Sequence, residues 1–258
     1  MNNILVTGAG GLIGGIIIEK IHNNNFVGLD IVVSKYPKTI ISDISDIEKL
    51  ENIMLSNRID TVIHLAAYPS VSDEWEIIRK NNIEGTRNVF DASMIAKVKK
   101  IIFASSNHAV GLYENDDPYK KIISGNYDNL EDNFDLIKPD CLVRPDSYYG
   151  VSKAFGENLG RYFHEKYGIK IACLRIGTVN KDNSPLSGTN IKYDSKRFFS
   201  TWCSHDDLAG LIEACINSEK VTFNIFFGVS NNKWKIWDIS NQKRILNYSP
   251  KSNAESFR

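Results

Sequence analysis

The chain has 258 residues, 42% of them hydrophobic and 24% charged, a length that suits one large α/β domain or a main domain with a small lobe. Its 31 Lys and Arg balance 31 Asp and Glu, which excludes a polybasic footprint for nucleic acid. The longest apolar run, residues 12–18, falls far below the roughly 20 residues needed to cross a bilayer, and Cys141, Cys173, Cys203 and Cys215 form no CxxC pair. Residues 3–7 already read as a strand rather than a leader. The expected setting is therefore cytoplasmic with reduced thiols, without a membrane or nucleic-acid partner.

Strand-like apolar runs alternate with helical patterns from the start. Ile4–Val6 leads through a glycine-rich turn into a helix to about His22, and Phe26–Asp30 is a second strand. Ile40–Ile41 precedes a helix over Asp46–Leu55, then come a strand Thr61–Leu65, a helical stretch Trp75–Ala96 and a strand Lys100–Ala104. Residues 114–140 break the alternation with eight acidic residues against three lysines and read as a solvated insertion, bounded at 112–144. Beyond it follow a helix Tyr149–Tyr167, a strand Lys170–Leu174, a helix His205–Asn217 and a strand Thr222–Phe227. Uninterrupted apolar strands between helices predict an α/β, Rossmann-type doubly wound parallel sheet. Residues 1–178 form the expected dinucleotide-binding part. Residues 179–258 form a small substrate-binding lobe plus a helix and strand that return to the sheet.

Two patterns carry chemistry. Gly8, Gly11 and Gly14 lie between the first strand and first helix, where a pyrophosphate must approach backbone N–H groups at a helix N-terminus. Asp30 ends the second strand, 22 residues after Gly8, at the position of a carboxylate that accepts from an adenosine ribose. NAD is therefore the expected cofactor, with Lys35 leaving NADP open. In Tyr149-Gly-Val-Ser-Lys153 the i, i+4 spacing puts phenol and ammonium on one helix face, where the lysine is expected to lower the phenol pKa and make it a usable base. The strand ending Ser105-Ser106-Asn107 opens on the same crevice.

Ser106, Tyr149 and Lys153, with the GxxGxxG turn, resemble the extended short-chain dehydrogenase/reductases of the NAD-dependent epimerase/dehydratase superfamily. The closer likeness is to uronate dehydrogenases. Its carriers are residues 103–108 (FASSNH), 149–153 (YGVSK), 155–159 (FGENL), 174–177 (LRIG), 197–202 (RFFSTW), 204–207 (SHDD) and 253–258 (NAESFR). This resemblance implies oxidation of the anomeric carbon of an acidic hexose, such as glucuronate or galacturonate, to a lactone. Ser106, Tyr149 and Lys153 would be catalytic. The cofactor would lie against Gly8, Gly11, Leu12, Ile13, Gly14, Asp30, Asp43, Ile44, Leu65, Ala66, Ala67, Asn82, Tyr149, Lys153 and Ile176. Ser70, Ser106, Asn107, His108, Thr178 and Arg197 would contact the sugar, with Arg197 forking its carboxylate. A homo-oligomer is expected.

The long acidic insertion also looks like that of archaeal NAD-dependent glucose-6-phosphate dehydrogenases, so a sugar phosphate or another aldose is the alternative substrate; Ser200-Thr201 before Trp202 favours the uronate. A sugar-nucleotide epimerase or dehydratase and a non-catalytic NAD-binding protein rank lower. The sequence stops soon after Phe257, where the resembling enzymes continue, so a covering tail is expected to be missing. No metal is expected, because Ser204 with Asp207 reads as a helix capping box rather than part of a His205-Asp206-Asp207 metal site. His64, in an apolar strand, reads as a packed core histidine, and Trp234 and Trp237 as packing anchors.

Overall fold

A computed structural model describes every residue except Met1, Lys35, Pro37, Ser72, Asp73, Asn129, residues 131–133 and residues 187–193. Seven strands, β1 (Asn3–Thr7), β2 (Asn25–Asp30), β3 (Thr39–Ile41), β4 (Thr61–His64), β5 (Lys100–Ser106), β6 (Lys170–Ile176) and β7 (Phe223–Gly228), form one parallel sheet in the order β3-β2-β1-β4-β5-β6-β7. The chain winds outward from β1 in both directions. The order therefore reverses between β1 and β4, and a crevice opens there at the carboxyl ends of the strands.

Helices cover both faces, which is why the strand patterns are almost wholly apolar. On one face Ile4, Val6, Ile63, Ile102 and Leu174 pack against α1 (Leu12–Lys20) and α8 (His205–Asn217), the latter through Leu208, Leu211 and Ile212. On the other, Leu5, Leu29, Val62, Ile101 and Phe103 meet Leu50 and Met54 of α2 (Ile47–Ser56), Val89 and Phe90 of α4 (Gly85–Ile95), and Phe163 of α6 (Tyr148–Tyr167). Neighbouring strand residues alternate between the two cores, as the two-residue period of a pleat requires.

Most departures from the sequence expectation are extensions. β5 and β6 each run two residues further than their apolar patterns, carrying Ser105, Ser106 and Ile176 to the crevice rim. The stretch expected as one helix over Trp75–Ala96 is α3 (Trp75–Ile78), a π-helical turn (Arg79–Glu84) and α4 in continuous succession.

The acidic insertion departs more: it is not simply solvated. After two 3-10 turns over Asn107–Asn115 it forms α5 (Tyr119–Ile123). Ile122, Ile123 and Ile137 pack with Phe227, Val229, Ile236 and Trp237 into a third core. Ile137 pairs with Trp237 in a parallel bridge, and Trp234 stacks on Tyr127 with ring centroids 4.0 Å apart. The acidic side chains had masked an apolar face at helical spacing. In the chain's final stretch, Asp207 accepts from Ser230 Oγ (2.6 Å), Lys251 N (2.7 Å) and Ser252 N (3.0 Å). Half of the expected capping box forms, because Ser204 Oγ accepts from Asp207 N (3.1 Å) while Ser204 N donates to Ser230 instead of Asp207. Asp206 pairs with Lys20 at 2.7 Å. The four cysteines are free thiols, and no helix among the described residues is long and apolar enough to cross a membrane.

His64 is 1% exposed and holds β4 between Thr7 Oγ1 (2.8 Å from Nδ1) and Thr86 Oγ1 (3.1 Å from Nε2). Burial, helped by the Lys153 charge, pulls its pKa from 6.5 down to about 3. The unfolded chain therefore takes up a proton below 6.5 that the native imidazole refuses, and the stability His64 contributes is lost as pH falls from 6.5 toward about 3. The urea midpoint of the wild type should fall more steeply across that window than that of His64→Asn; parallel pH profiles would refute the assignment.

Candidate active site

The crevice is a cleft of about 700 Å³ between the carboxyl ends of β1, β2, β4, β5 and β6. Its floor is built from backbone. Gly8 sits at φ +74, a left-handed conformation that favours glycine, and a Cβ there would lie 2.8 Å from Ala66 N. A Cβ on Gly14 would meet Gly8 O at 2.6 Å, so the turn folds tightly onto α1 only without side chains. The N-cap of α1, Gly11, offers no side-chain cap, which leaves the first N–H groups of the helix for a ligand. Asp30 ends β2 with its carboxylate accepting from Gly10 N (2.8 Å) and Val32 N (3.1 Å). A glycine cradle, an uncapped helix N-terminus and a braced carboxylate at one rim fit a dinucleotide.

Gly8, Gly11, Leu12, Ile13, Gly14, Asp30, Asp43, Ile44, Leu65, Ala66, Ala67, Tyr149, Lys153 and Ile176 all line this cleft. Asn82 does not. It is 2% exposed, accepts from Tyr68 N (2.7 Å) and donates to Tyr68 O (3.1 Å) and Ser152 Oγ (3.1 Å), so it ties the loop after β4 to α6 from behind. Asn81, its neighbour in the π-helical turn, lines the cleft instead. Gly10, Ser42, Tyr68, Pro69 and Gly177 also line the cleft, without a sequence signal beyond adjacency to the motifs. Lys35 lies outside the described residues.

At the inner end, Ser106 and Tyr149 both line the cleft, and the serine hydroxyl opposes the rise in the phenol pKa. The Ser106 hydroxyl also accepts from His108 N at 3.2 Å, capping the 3-10 turn that continues β5. Its neighbour Ser105 points elsewhere, donating to Glu157 Oε1 at 2.6 Å. Lys153 donates to Ala104 O at 2.8 Å, with its ammonium 5.4 Å from the Tyr149 ring centroid and 5.2 Å from that of Phe103. The expectation that Lys153 lowers the phenol pKa does not hold in this geometry. Burial pushes Tyr149 up to about 12, opposed only by the Ser106 hydroxyl, and pulls Lys153 down to about 8. Desolvation of two adjacent groups outweighs their attraction when the ammonium spends a hydrogen bond on a carbonyl.

Beside the cleft, on residues that do not line it, lie two polar pairs. His108 Nδ1 lies 2.7 Å from Asp146 Oδ2, and its ring stands edge-on to Tyr149 at 5.8 Å. Burial pushes the Asp146 carboxyl up, but the hydrogen bond and charge of His108 outweigh it and hold that carboxyl below its usual range. Arg197, on α7 (Asp194–Thr201), is closed in a bidentate fork on Glu114, with Nε to Oε2 and Nη2 to Oε1 both 2.7 Å. With its amide oriented to satisfy its neighbours, Asn107 accepts from Arg197 Nη2 (2.7 Å) and donates to Ile176 O (3.1 Å) and Ser106 Oγ (3.3 Å). Thr178 shares a 2.7 Å hydrogen bond with Thr201 behind the rim, and Ser70 follows Pro69 on the loop after β4. Hydrogen bonds join Ser106 to Asn107 and His108, and Asn107 to Arg197, but of these four only Ser106 lines the cleft, and Ser70 and Thr178 do not line it either. Glu114 carries no sequence signal because it sits in the stretch read as insertion, and Asp146, just beyond that stretch, belongs to no motif.

Residues 4–183 match the NAD dependent epimerase/dehydratase family. The chain belongs to this family. Among its relatives, the NAD-dependent glucose-6-phosphate dehydrogenase of Haloferax volcanii is 33% identical across 98% of this chain and 95% of its own length. The uronate dehydrogenase of Agrobacterium fabrum is 32% identical across 100% of this chain and 88% of its own. A mutant uronate dehydrogenase from Agrobacterium tumefaciens, complexed with NAD, superposes with a TM-score of 0.78 at 30% identity, covering 100% of this chain and 88% of that one. Membership in an NAD-dependent family agrees with the cradle.

Asp30 faces the end of that cradle where a ribose hydroxyl would be read. Asp30→Ala should lower the NAD/NADP ratio of kcat/KM by about 10-fold or more, the loss expected for one charge-assisted hydrogen bond. Steady-state kinetics with each dinucleotide would test this, and an unchanged ratio would remove Asp30 from cofactor selection.

Proposed function

We propose that the chain is an NAD-dependent sugar dehydrogenase that oxidises the hydroxyl-bearing anomeric carbon of a sugar to the lactone. The observation that carries this reading is that Ser106, Tyr149 and Lys153 together line one glycine-floored cleft. When bound, NAD supplies the hydride acceptor. Tyr149 takes the proton of the anomeric hydroxyl as its C–H bond is broken. Ser106 holds that oxygen, and Lys153, anchored by Ala104, keeps a donor at the cofactor side of the cleft. Asn107 and His108 meet the sugar hydroxyls at the mouth.

A uronate such as glucuronate or galacturonate is the substrate that the resemblance over residues 103–108 and 197–202 favours, with Arg197 as the cation for its carboxylate. A second reading, a neutral aldose, is favoured by one observation: Glu114 already fills the Arg197 fork. Residues 179–258 would supply the sugar side of the site, through Arg197.

Because burial holds the phenol near 12, phenolate is scarce at neutral pH, and oxidation should accelerate as pH rises from about 6 to about 8. Tyr149→Phe should lose both that slope and a factor of about 10² or more in turnover while still binding NAD. NADH absorbance with glucuronate, galacturonate, glucose 6-phosphate and glucose would measure both. Equal turnover in the variant, or no NADH from any sugar, would overturn the proposal.

A further inference from the structure

We propose that Glu114 sets the charge preference of the sugar site: it occupies the fork of Arg197 that an acidic substrate needs, and so biases the enzyme toward neutral aldoses. This rests on the reading of the cleft as a sugar dehydrogenase. Arg197 and Glu114 are only 16% and 14% exposed, and their two parallel 2.7 Å contacts are the arrangement a substrate carboxylate would make with the same guanidinium. The pair stands close to the reacting end of the cleft, because Asn107 bridges Arg197 Nη2 to Ser106 Oγ in two hydrogen bonds. It also joins two separate elements, the 3-10 turns after β5 and α7, rather than decorating one helix.

The charge count around the fork points the same way. Glu114 is paired with Arg197, and Asp146 lies close enough to feel the Arg197 charge while bonded to His108. An incoming carboxylate or phosphate would have to displace Glu114 and would leave two anions competing for one guanidinium. A neutral sugar meets no such competition, since its hydroxyls can donate to the Glu114 carboxylate and accept from Arg197 without breaking the pair.

Glu114→Gln removes the competing charge and keeps the side-chain size. The ratio of kcat/KM for glucuronate over that for glucose should rise by about 10-fold or more relative to wild type, the scale of one charge-assisted pair. In Glu114→Gln/Arg197→Ala the rise should vanish, which separates competition for Arg197 from a general loosening of the mouth. Glu114→Ala serves as a second variant, with NAD affinity checked in each. A ratio that stays the same or falls in both Glu114 variants overturns the inference. Should no sugar be oxidised, the proposed activity fails on its own, and calorimetry with glucuronate on the NAD-loaded protein still decides this point. Tighter binding to Glu114→Gln than to wild type supports competition, and equal affinity refutes it.

Discussion

Arg175 on β6 and Glu157 on α6 meet in a bidentate pair, Nε to Oε1 and Nη2 to Oε2 both at 2.8 Å, with side chains 1% and 3% exposed. Two charges leave water for this contact, and taking away either one would strand the other at a cost of about 3–5 kcal/mol. The pair ties together β5, the insertion and β7. Ser105 donates to Glu157, Arg175 Nη1 donates to Pro139 O (3.2 Å) in the insertion, and the guanidinium lies over Phe227 of β7. Tyr149, Lys153 and Glu157 follow one another at four-residue steps along a single stripe of α6. Fixing Glu157 against β6 therefore fixes the rotation of α6, and with it the phenol and ammonium two turns and one turn earlier. Satisfying this pair and placing the reactive groups are one geometric problem.

The two ends of the cleft are built from different materials. The cofactor end is backbone, helix terminus and a single carboxylate, so its affinity depends on close approach and on the absence of Cβ atoms at Gly8 and Gly14. The end proposed for the sugar adjoins two polar pairs, Arg197 with Glu114 and His108 with Asp146. The cofactor end tolerates little change in size. The sugar end is sensitive to changes in charge.

Much of this was legible in the residues because parallel strands buried on both faces need unbroken apolar runs, and a phosphate cradle needs glycine at fixed offsets. The glycine turn and Asp30 follow from those demands, while Ser106, Tyr149 and Lys153 rest on helical spacing and the family resemblance. What escaped did so for physical reasons. Asn82, taken from the resemblance, lies behind the cleft while Asn81 lines it, in a π-helical turn that composition does not signal. The Tyr149 phenol rises rather than falls because its burial depends on the whole cleft, not on Lys153 four residues away. Glu114 and Asp146 acquire meaning only through partners 83 and 38 residues distant.

The acidic insertion and the chain's final stretch share one core, in which Ile122, Ile123 and Ile137 interlock with Ile236 and Trp237. Neither segment is modular. Transplanting the insertion into a relative to carry Glu114 with it would leave Trp237 without its apolar cover, while exchanging the final stretch alone would uncover three isoleucines. A chimera that moves substrate preference between relatives must exchange both segments together.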